Sequence, residues 1–64
     1  MEEIMTTNEV AKYLKVRHET ILRKVKRGEL KAYKVGGRRL RFYKSEVDAW
    51  LRNQVIIPKQ GGAK

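Results

Sequence analysis

Val10, Ala11 and Leu14 fall on one helical face, behind Thr6-Thr7-Asn8-Glu9, which has the form of a capping box. In that motif the Thr6 hydroxyl takes the Glu9 amide and the Glu9 carboxylate reaches back. Met5 and Val10 are spaced as a hydrophobic staple, so a first helix is expected to about Leu14. The apolar pattern breaks at Lys15 to Arg17, where Val16 is the only apolar residue, and resumes at Ile21, Leu22 and Val25. Gly28 stands where a left-handed glycine closes a helix. With about 100° per residue, the apolar arc of this second helix centres near Ile21 and Val25, which puts Thr20, Arg23 and Arg27 on the opposite face.

From Leu30 the period changes to two: Leu30, Ala32 and Lys34 to one side, Lys31, Tyr33 and Val35 to the other. Gly36-Gly37 supplies a turn, after which Leu40 and Phe42 alternate with Arg39, Arg41 and Tyr43, as in a hairpin with a basic tip. Ser45-Glu46-Val47-Asp48 resembles a second capping box, opening a third helix whose apolar stripe is Val47, Trp50 and Leu51, with Trp50 the largest side chain available to the core. The fold class this order predicts is mainly α with a small β-hairpin: a winged helix-turn-helix of helix, turn, helix, two-stranded wing and helix over residues 1–52. Residues 53–64 read as a C-terminal tail, in which Val55-Ile56-Ile57 is stopped by Pro58 and disorder is expected beyond that proline. The apolar triplet has two readings, packing back on the core and contacting a partner.

Composition narrows the class. A chain of 64 residues has room for one domain, and a fold this small buries only about 60% of its unfolded surface. There is no cysteine and a single histidine, so neither a disulfide framework nor a metal site is expected, and no cofactor. No apolar run approaches the roughly 20 residues of a membrane span, and the chain opens on acidic residues rather than a basic leader; a soluble, cytoplasmic protein is expected.

Sixteen Lys and Arg against seven Asp and Glu give a net charge of +9, the balance of a chain with a polyanionic partner. The charge is not spread evenly. Residues 17–44 hold Arg17, Arg23, Lys24, Lys26, Arg27, Lys31, Lys34, Arg38, Arg39, Arg41 and Lys44 against Glu19 and Glu29, while the two flanking stretches are nearly neutral.

The chemistry follows from that placement. A major groove about 12 Å wide admits one α-helix, so the second helix is the candidate reader of DNA and the hairpin the candidate grip on the neighbouring backbone or minor groove. Arg23 is the candidate base reader, because a guanidinium pairs bidentately with guanine O6 and N7; the plain alternative is a solvated surface arginine. Thr20 has two readings, a contact to phosphate or thymine methyl and a local backbone partner. Arg17, Lys24, Lys26, Arg27, Lys31 and Lys34 suit phosphates better than bases. Gly36 and Gly37 permit positive φ, from which Arg38 and Arg39 project toward a narrow minor groove; a flexible charged loop is the bland reading. His18 lacks a second ligand or an orienting carboxylate beyond Glu19 and lies at the edge of the apolar arc, where it covers the core or reaches DNA from the first turn. Glu19 either accepts from cytosine N4 or serves the helix dipole. No nucleophile and base pair, paired carboxylates or phosphate loop is present, so no enzyme is expected.

Residues 5–51, about three quarters of the chain, resemble the excisionase-type, MerR-like winged helix-turn-helix family. The resemblance rests on Met5 to Leu14, on Thr20-Ile21 with Arg23, on Gly28-Glu29-Leu30, on Ala32 to Arg39, and on Phe42 with Ser45 to Leu51. It implies that helix two enters the major groove over Arg17 to Lys24 and that the hairpin, Gly36 to Arg41, contacts the adjacent minor groove or phosphates. Two positions depart from the family pattern: Lys15 stands where Gly is frequent and Arg17 where Ser usually caps the helix. In such families, excisionases bind adjacent sites cooperatively and bend DNA so that an integrase excises rather than inserts; others are small transcription regulators. The resemblance therefore implies double-stranded DNA as partner, an integrase or recombinase, cooperative self-association, a bacterial, phage or transposon origin near the nucleoid, and no membrane or small-molecule ligand. A chain that is essentially the bare domain favours the excisionase role over a MerR-like regulator. The competing class is a protein-interaction module, such as an antitoxin or adaptor, whose basic face meets an acidic protein. A reader of single-stranded RNA fits less well, since Tyr33, Phe42 and Tyr43 are few for a stacking platform.

Overall fold

A computed structural model describes residues 2–56. The elements run β1 (Ile4–Thr6), α1 (Thr7–Leu14), α2 (His18–Lys26), β2 (Tyr33–Val35), β3 (Arg39–Tyr43) and α3 (Lys44–Arg52), the arrangement of a winged helix-turn-helix. The expected disorder beyond Pro58 lies outside the described residues.

Both ends of α1 are set locally. The Glu9 amide donates to Thr6 Oγ1 at 3.1 Å and the Thr6 amide donates to Glu9 Oε1 at 2.8 Å, which completes the capping box, and Met5 and Val10 are both buried. At the other end Lys15 turns left-handed (φ 59°, ψ 44°). Its amide donates to Lys12 O and the Val16 amide to Ala11 O, a Schellman closure. Lys15 is the only non-glycine residue with positive φ among those described, at the position where the resemblance leads one to expect glycine.

α2 begins without a side-chain cap, since Arg17 occupies the cap position and offers only its carbonyl, to the amides of Thr20 and Ile21. It ends in a second Schellman closure: Gly28 takes φ 75°, its amide donates to Val25 O, and the Glu29 amide donates to Lys24 O. Leu30 is therefore delivered into the core from a loop rather than from a strand, and β2 is confined to Tyr33–Val35.

The sheet has three strands, where the sequence pattern predicts two. β3 lies in the middle of the antiparallel order β1-β3-β2, with Met5 opposite Phe42 and Lys34 opposite Leu40. A three-residue strand is too short to show alternation in sequence; β1 exists because β3 offers it an edge. Phe42 and Leu40 face the helices, and Arg39, Arg41 and Tyr43 face outward.

β3 runs straight into α3, so the helix starts at Lys44 with Tyr43 as its cap residue and no side-chain cap. The capping box expected at Ser45 does not form. Ser45 lies inside the first turn, where its amide donates to Glu2 Oε2 at 3.3 Å and its hydroxyl donates to the same oxygen, while the Lys44 amide donates to Glu3 O at 2.8 Å. The chain's own N-terminal segment supplies the carboxylate that the helix start favours.

The core is Met5, Val10, Ala11, Ile21, Leu30, Phe42 and Val47, with Leu14, Val25, Ala32, Leu40 and Trp50 packed around it. Phe42, rather than Trp50, is the largest fully buried side chain, because it comes from the central strand; Trp50 is half-buried at the margin and Leu51 is exposed. Removing the Phe42 ring is expected to cost about 3–5 kcal/mol, much of the stability of a domain this small. Tyr13 in α1 donates to Asp48 Oδ1 in α3 at 2.6 Å, and Lys44 reaches Asp48 Oδ2 at 3.0 Å with its ammonium 5.1 Å from the centre of the Tyr13 ring. The Tyr13 hydroxyl and the Lys44 ammonium hold the Asp48 carboxyl below the usual carboxylate range, and Asp48 and Tyr13 raise Lys44 above the usual lysine range. No helix among the described residues is long and apolar enough to cross a membrane.

Candidate nucleic-acid interface

α2 packs chiefly against α1, so the side of α2 turned from α1 is open. That open side is Glu19, Leu22, Arg23 and Lys26, which line one shallow surface depression. Their spacing of three, four and seven residues makes them one stripe along a helix about 13.5 Å long. The sequence-derived face of Thr20, Arg23 and Arg27 is thus only partly right. Arg23 is exposed and central, but Thr20 is half-buried, and the inward side extends from Ile21 and Val25 to the aliphatic stem of Lys24.

Glu29, delivered by the Gly28 closure, separates the basic residues of α2 into two sets. Its carboxylate lies 3.3 Å from Lys24 Nζ and 3.4 Å from Arg27 Nε, so both these cations are partly neutralised. Arg17, Arg23 and Lys26 have no acidic partner among the described residues. Arg17 stands exposed at the start of α2, beside the exposed Glu19. His18 is exposed and does not cover the core; it borders a surface depression between α1 and the turn with Asn8, Lys12, Lys15 and Val16. Among the described residues no group of three or more His, Cys, Asp and Glu is placed to hold a metal ion.

The hairpin tip is shaped by Gly36 (φ 54°) and Gly37 (φ 89°), with the Arg38 amide donating to Gly36 O and strand pairing resuming at Val35 opposite Arg39. Lys34, Arg38 and Arg39 are exposed and have no acidic partner among the described residues. Arg41 differs: it is half-buried, and its Nη1 donates to Leu40 O at 2.8 Å, so part of its donor capacity is already spent. Lys31 and Lys44, also in the basic stretch, lie 4.0 Å from Glu46 and 3.0 Å from Asp48.

Of the residues singled out in sequence, the structure gathers Arg23 and Glu19 on the open stripe. It puts Arg17 at the stripe's N-terminal end and Lys34, Gly36, Gly37, Arg38 and Arg39 at the hairpin tip, and it draws Lys24, Arg27 and Arg41 into local contacts. Leu22, which belongs to the apolar pattern with Ile21 and Val25, is not among the residues that charge and hydrogen-bonding chemistry single out, yet it lies on the open stripe. It is 37% exposed. The signal that would have found it is its position four residues before Lys26 and three after Glu19, on the stripe that also carries Arg23.

An open helix face carrying Arg23 and Lys26 and a basic two-stranded tip are elements of the kind that a winged helix-turn-helix presents to duplex DNA. The family model described as a helix-turn-helix domain matches residues 4–55, from β1 to just past α3. No individual curated protein matches the chain. The chain belongs to the helix-turn-helix domain family of DNA-binding proteins.

Proposed function

We propose that this protein binds double-stranded DNA sequence-specifically and serves as an excisionase-type recombination directionality factor, an architectural partner of an integrase on bacterial, phage or transposon DNA. The observation that carries the DNA reading is that six of the exposed basic side chains without acidic partners among the described residues, Arg17, Arg23, Lys26, Lys34, Arg38 and Arg39, stand on α2, its cap and the hairpin, while Lys12, Lys15 and Arg52 lie apart from both elements in sequence. In this reading Arg23 takes a guanine by O6 and N7, Leu22 packs on a thymine methyl, and Arg17 and Lys26 hold phosphates on either side. Arg38 and Arg39 grip the neighbouring minor groove or backbone, with Lys34 on a phosphate. A helix and a wing that hold two neighbouring grooves favour a bent duplex, because bending brings both contacts to bear at once. The excisionase role draws its support from the family resemblance and from this two-element grip.

Neutralising about six phosphates gives a slope of log K against log salt near −5. The deciding experiment is a footprint on the DNA around the protein's own gene. Protection of tandem repeats beside an integrase site supports the directionality role. Protection of one operator over a promoter moves the protein to the MerR-like regulators, and failure to bind any duplex at low salt leaves the basic face to an acidic protein.

A further inference from the structure

The wing is the part of the candidate interface that the core holds least. β2 is three residues long and lies at the edge of the sheet, and Tyr33, Lys34 and Val35 are all exposed. Its ladder to β3 covers only Tyr33 opposite Arg41, Lys34 opposite Leu40 and Val35 opposite Arg39, and a two-stranded hairpin by itself is marginal in water. Arg38 and Arg39 stand at the far end, past the Gly36 and Gly37 turn. The strand spans about 10 Å from Tyr33 to the tip, so a swing of about 10° at its base moves the tip by roughly 2 Å, enough to part an arginine from a phosphate oxygen.

Leu30 and Ala32 pack on the core just before β2 and fix where it starts. Tyr33 is the residue of the strand that ties it to a helix. Its hydroxyl donates to Glu46 Oε2 at 3.1 Å, joining β2 to the first turn of α3 across 13 positions of sequence. The Tyr33 ring meets the Tyr43 ring edge to face with 5.1 Å between centroids, and the Lys31 ammonium lies 4.0 Å from the same Glu46 oxygen. Glu46 is a firm anchor, because the next residue, Val47, is fully buried in the core. Its other oxygen, Oε1, is out of contact with solvent and has no hydrogen-bond partner, so Tyr33 is the only hydrogen-bond donor to this carboxylate among the described residues. A hydroxyl on a carboxylate makes a charge-assisted bond, shorter and stronger than a neutral one.

We propose that Tyr33 and Glu46 are positioning residues for DNA binding: the hydrogen bond between them holds β2 at a fixed angle to α3, so that Arg38 and Arg39 are in place beside α2 before a duplex arrives. Neither Tyr33 nor Glu46 touches DNA in this arrangement. A free wing loses motion when it binds, which opposes association, and a wing already fixed escapes most of that loss. The inference rests on the DNA reading.

The test is a double-mutant cycle on the full chain, titrated against the footprinted duplex at one fixed salt concentration. Tyr33→Phe removes a hydroxyl and no charge. It is expected to leave the urea midpoint in place and to weaken binding about fivefold in the parent, but less than about 1.5-fold when Arg38→Ala and Arg39→Ala are already present. Glu46→Gln and Glu46→Leu both release Lys31, and only glutamine keeps an acceptor for Tyr33. Glu46→Gln is expected to bind about fivefold more tightly than Glu46→Leu, a difference that also vanishes without the tip arginines. A Tyr33→Phe protein that binds as the parent does overturns the inference, as does a loss of equal size with and without the tip arginines, or a Glu46→Gln protein that binds no better than Glu46→Leu. Undiminished binding after Arg38→Ala and Arg39→Ala overturns the wing's contact with DNA, and the positioning role with it. A parent that binds no duplex at low salt overturns the DNA reading itself, and the inference falls with it.

Discussion

Arg27 Nε lies 3.4 Å from Glu29 Oε2, a pair created by the left-handed Gly28 between them. Both side chains are solvent-accessible, so the pair adds under about 1 kcal/mol to stability, yet it fixes a carboxylate beside the C-terminal end of α2, the helix proposed to face DNA. Glu29→Gln is expected to tighten binding to any duplex several-fold in dilute salt, with the gain fading as the ionic strength rises past 0.2 M. Fluorescence anisotropy titrations at two salt concentrations measure it. Unchanged affinity at low salt would mean that Lys24 and Arg27 lie away from the phosphates.

Lys15 and Arg17 depart from the family pattern with opposite consequences. Lys15 holds φ 59°, a conformation that costs an L-residue about 1–2 kcal/mol and glycine little, so Lys15→Gly is expected to gain about 1 kcal/mol in urea denaturation with little change in DNA affinity. Arg17→Ser supplies a side-chain cap and is also expected to gain about 1 kcal/mol, but it removes the proposed phosphate contact and is expected to weaken binding. An Arg17→Ser protein that is more stable and binds as well as the parent would take Arg17 out of the interface.

Tyr13, Lys44 and Asp48 give the fold a pH dependence of known sign. The Asp48 carboxyl is held below its ordinary range by the Tyr13 hydroxyl and then by Lys44, so its contribution is present above the unfolded carboxylate range and lost as pH falls through the folded value. Lys44 is raised by Asp48 and then by Tyr13, so its contribution is present below the ordinary lysine range and lost as pH rises through the folded value. Tyr33, raised by desolvation and by its bond to Glu46, adds to the alkaline loss. Denaturation across pH should show Tyr13→Phe with a shallower acid limb than the parent. Superimposable acid limbs would show that the Tyr13 bond is not what lowers Asp48.

Leu22 supplies a test that separates reading from folding. It is 37% exposed on the open stripe, so Leu22→Ala is expected to change stability by less than about 0.5 kcal/mol. On DNA it should cost about 1 kcal/mol of preference for thymine at one position of the site, read by competition with single-substituted duplexes. Uniform loss at every position would indicate packing of α2 rather than contact with a base.

Periodicity was enough for all three helices, the hairpin and the glycine turns, because each is set by neighbours in sequence: the Thr6 and Glu9 exchange, the Gly28 closure, the alternation of Leu40 and Phe42. What it could not show depends on distant partners. β1 forms only on the edge of β3, and the start of α3 is satisfied by Glu2, so Ser45 loses the role its local motif suggested. Phe42 outranks Trp50 in the core because it lies on the central strand, which packs against both α1 and α3. At the site, Arg23 and the tip glycines were legible from charge and turn chemistry. The orientation of α2 about its axis was not, since it depends on packing against α1 and on ion pairs reaching across Gly28, and it leaves Leu22 and Lys26 exposed and Thr20 half-buried.

The central claim is that Arg23, in the middle of the open stripe, reads sequence rather than supplying charge alone. The direct measurement is the ratio of affinities for the footprinted site and for a random duplex at one fixed salt concentration, in the parent and in Arg23→Ala. The ratio is expected to fall by the equivalent of about 1–3 kcal/mol, most of it at one G·C pair, while binding to random DNA weakens much less. Equal losses on both duplexes would contradict it.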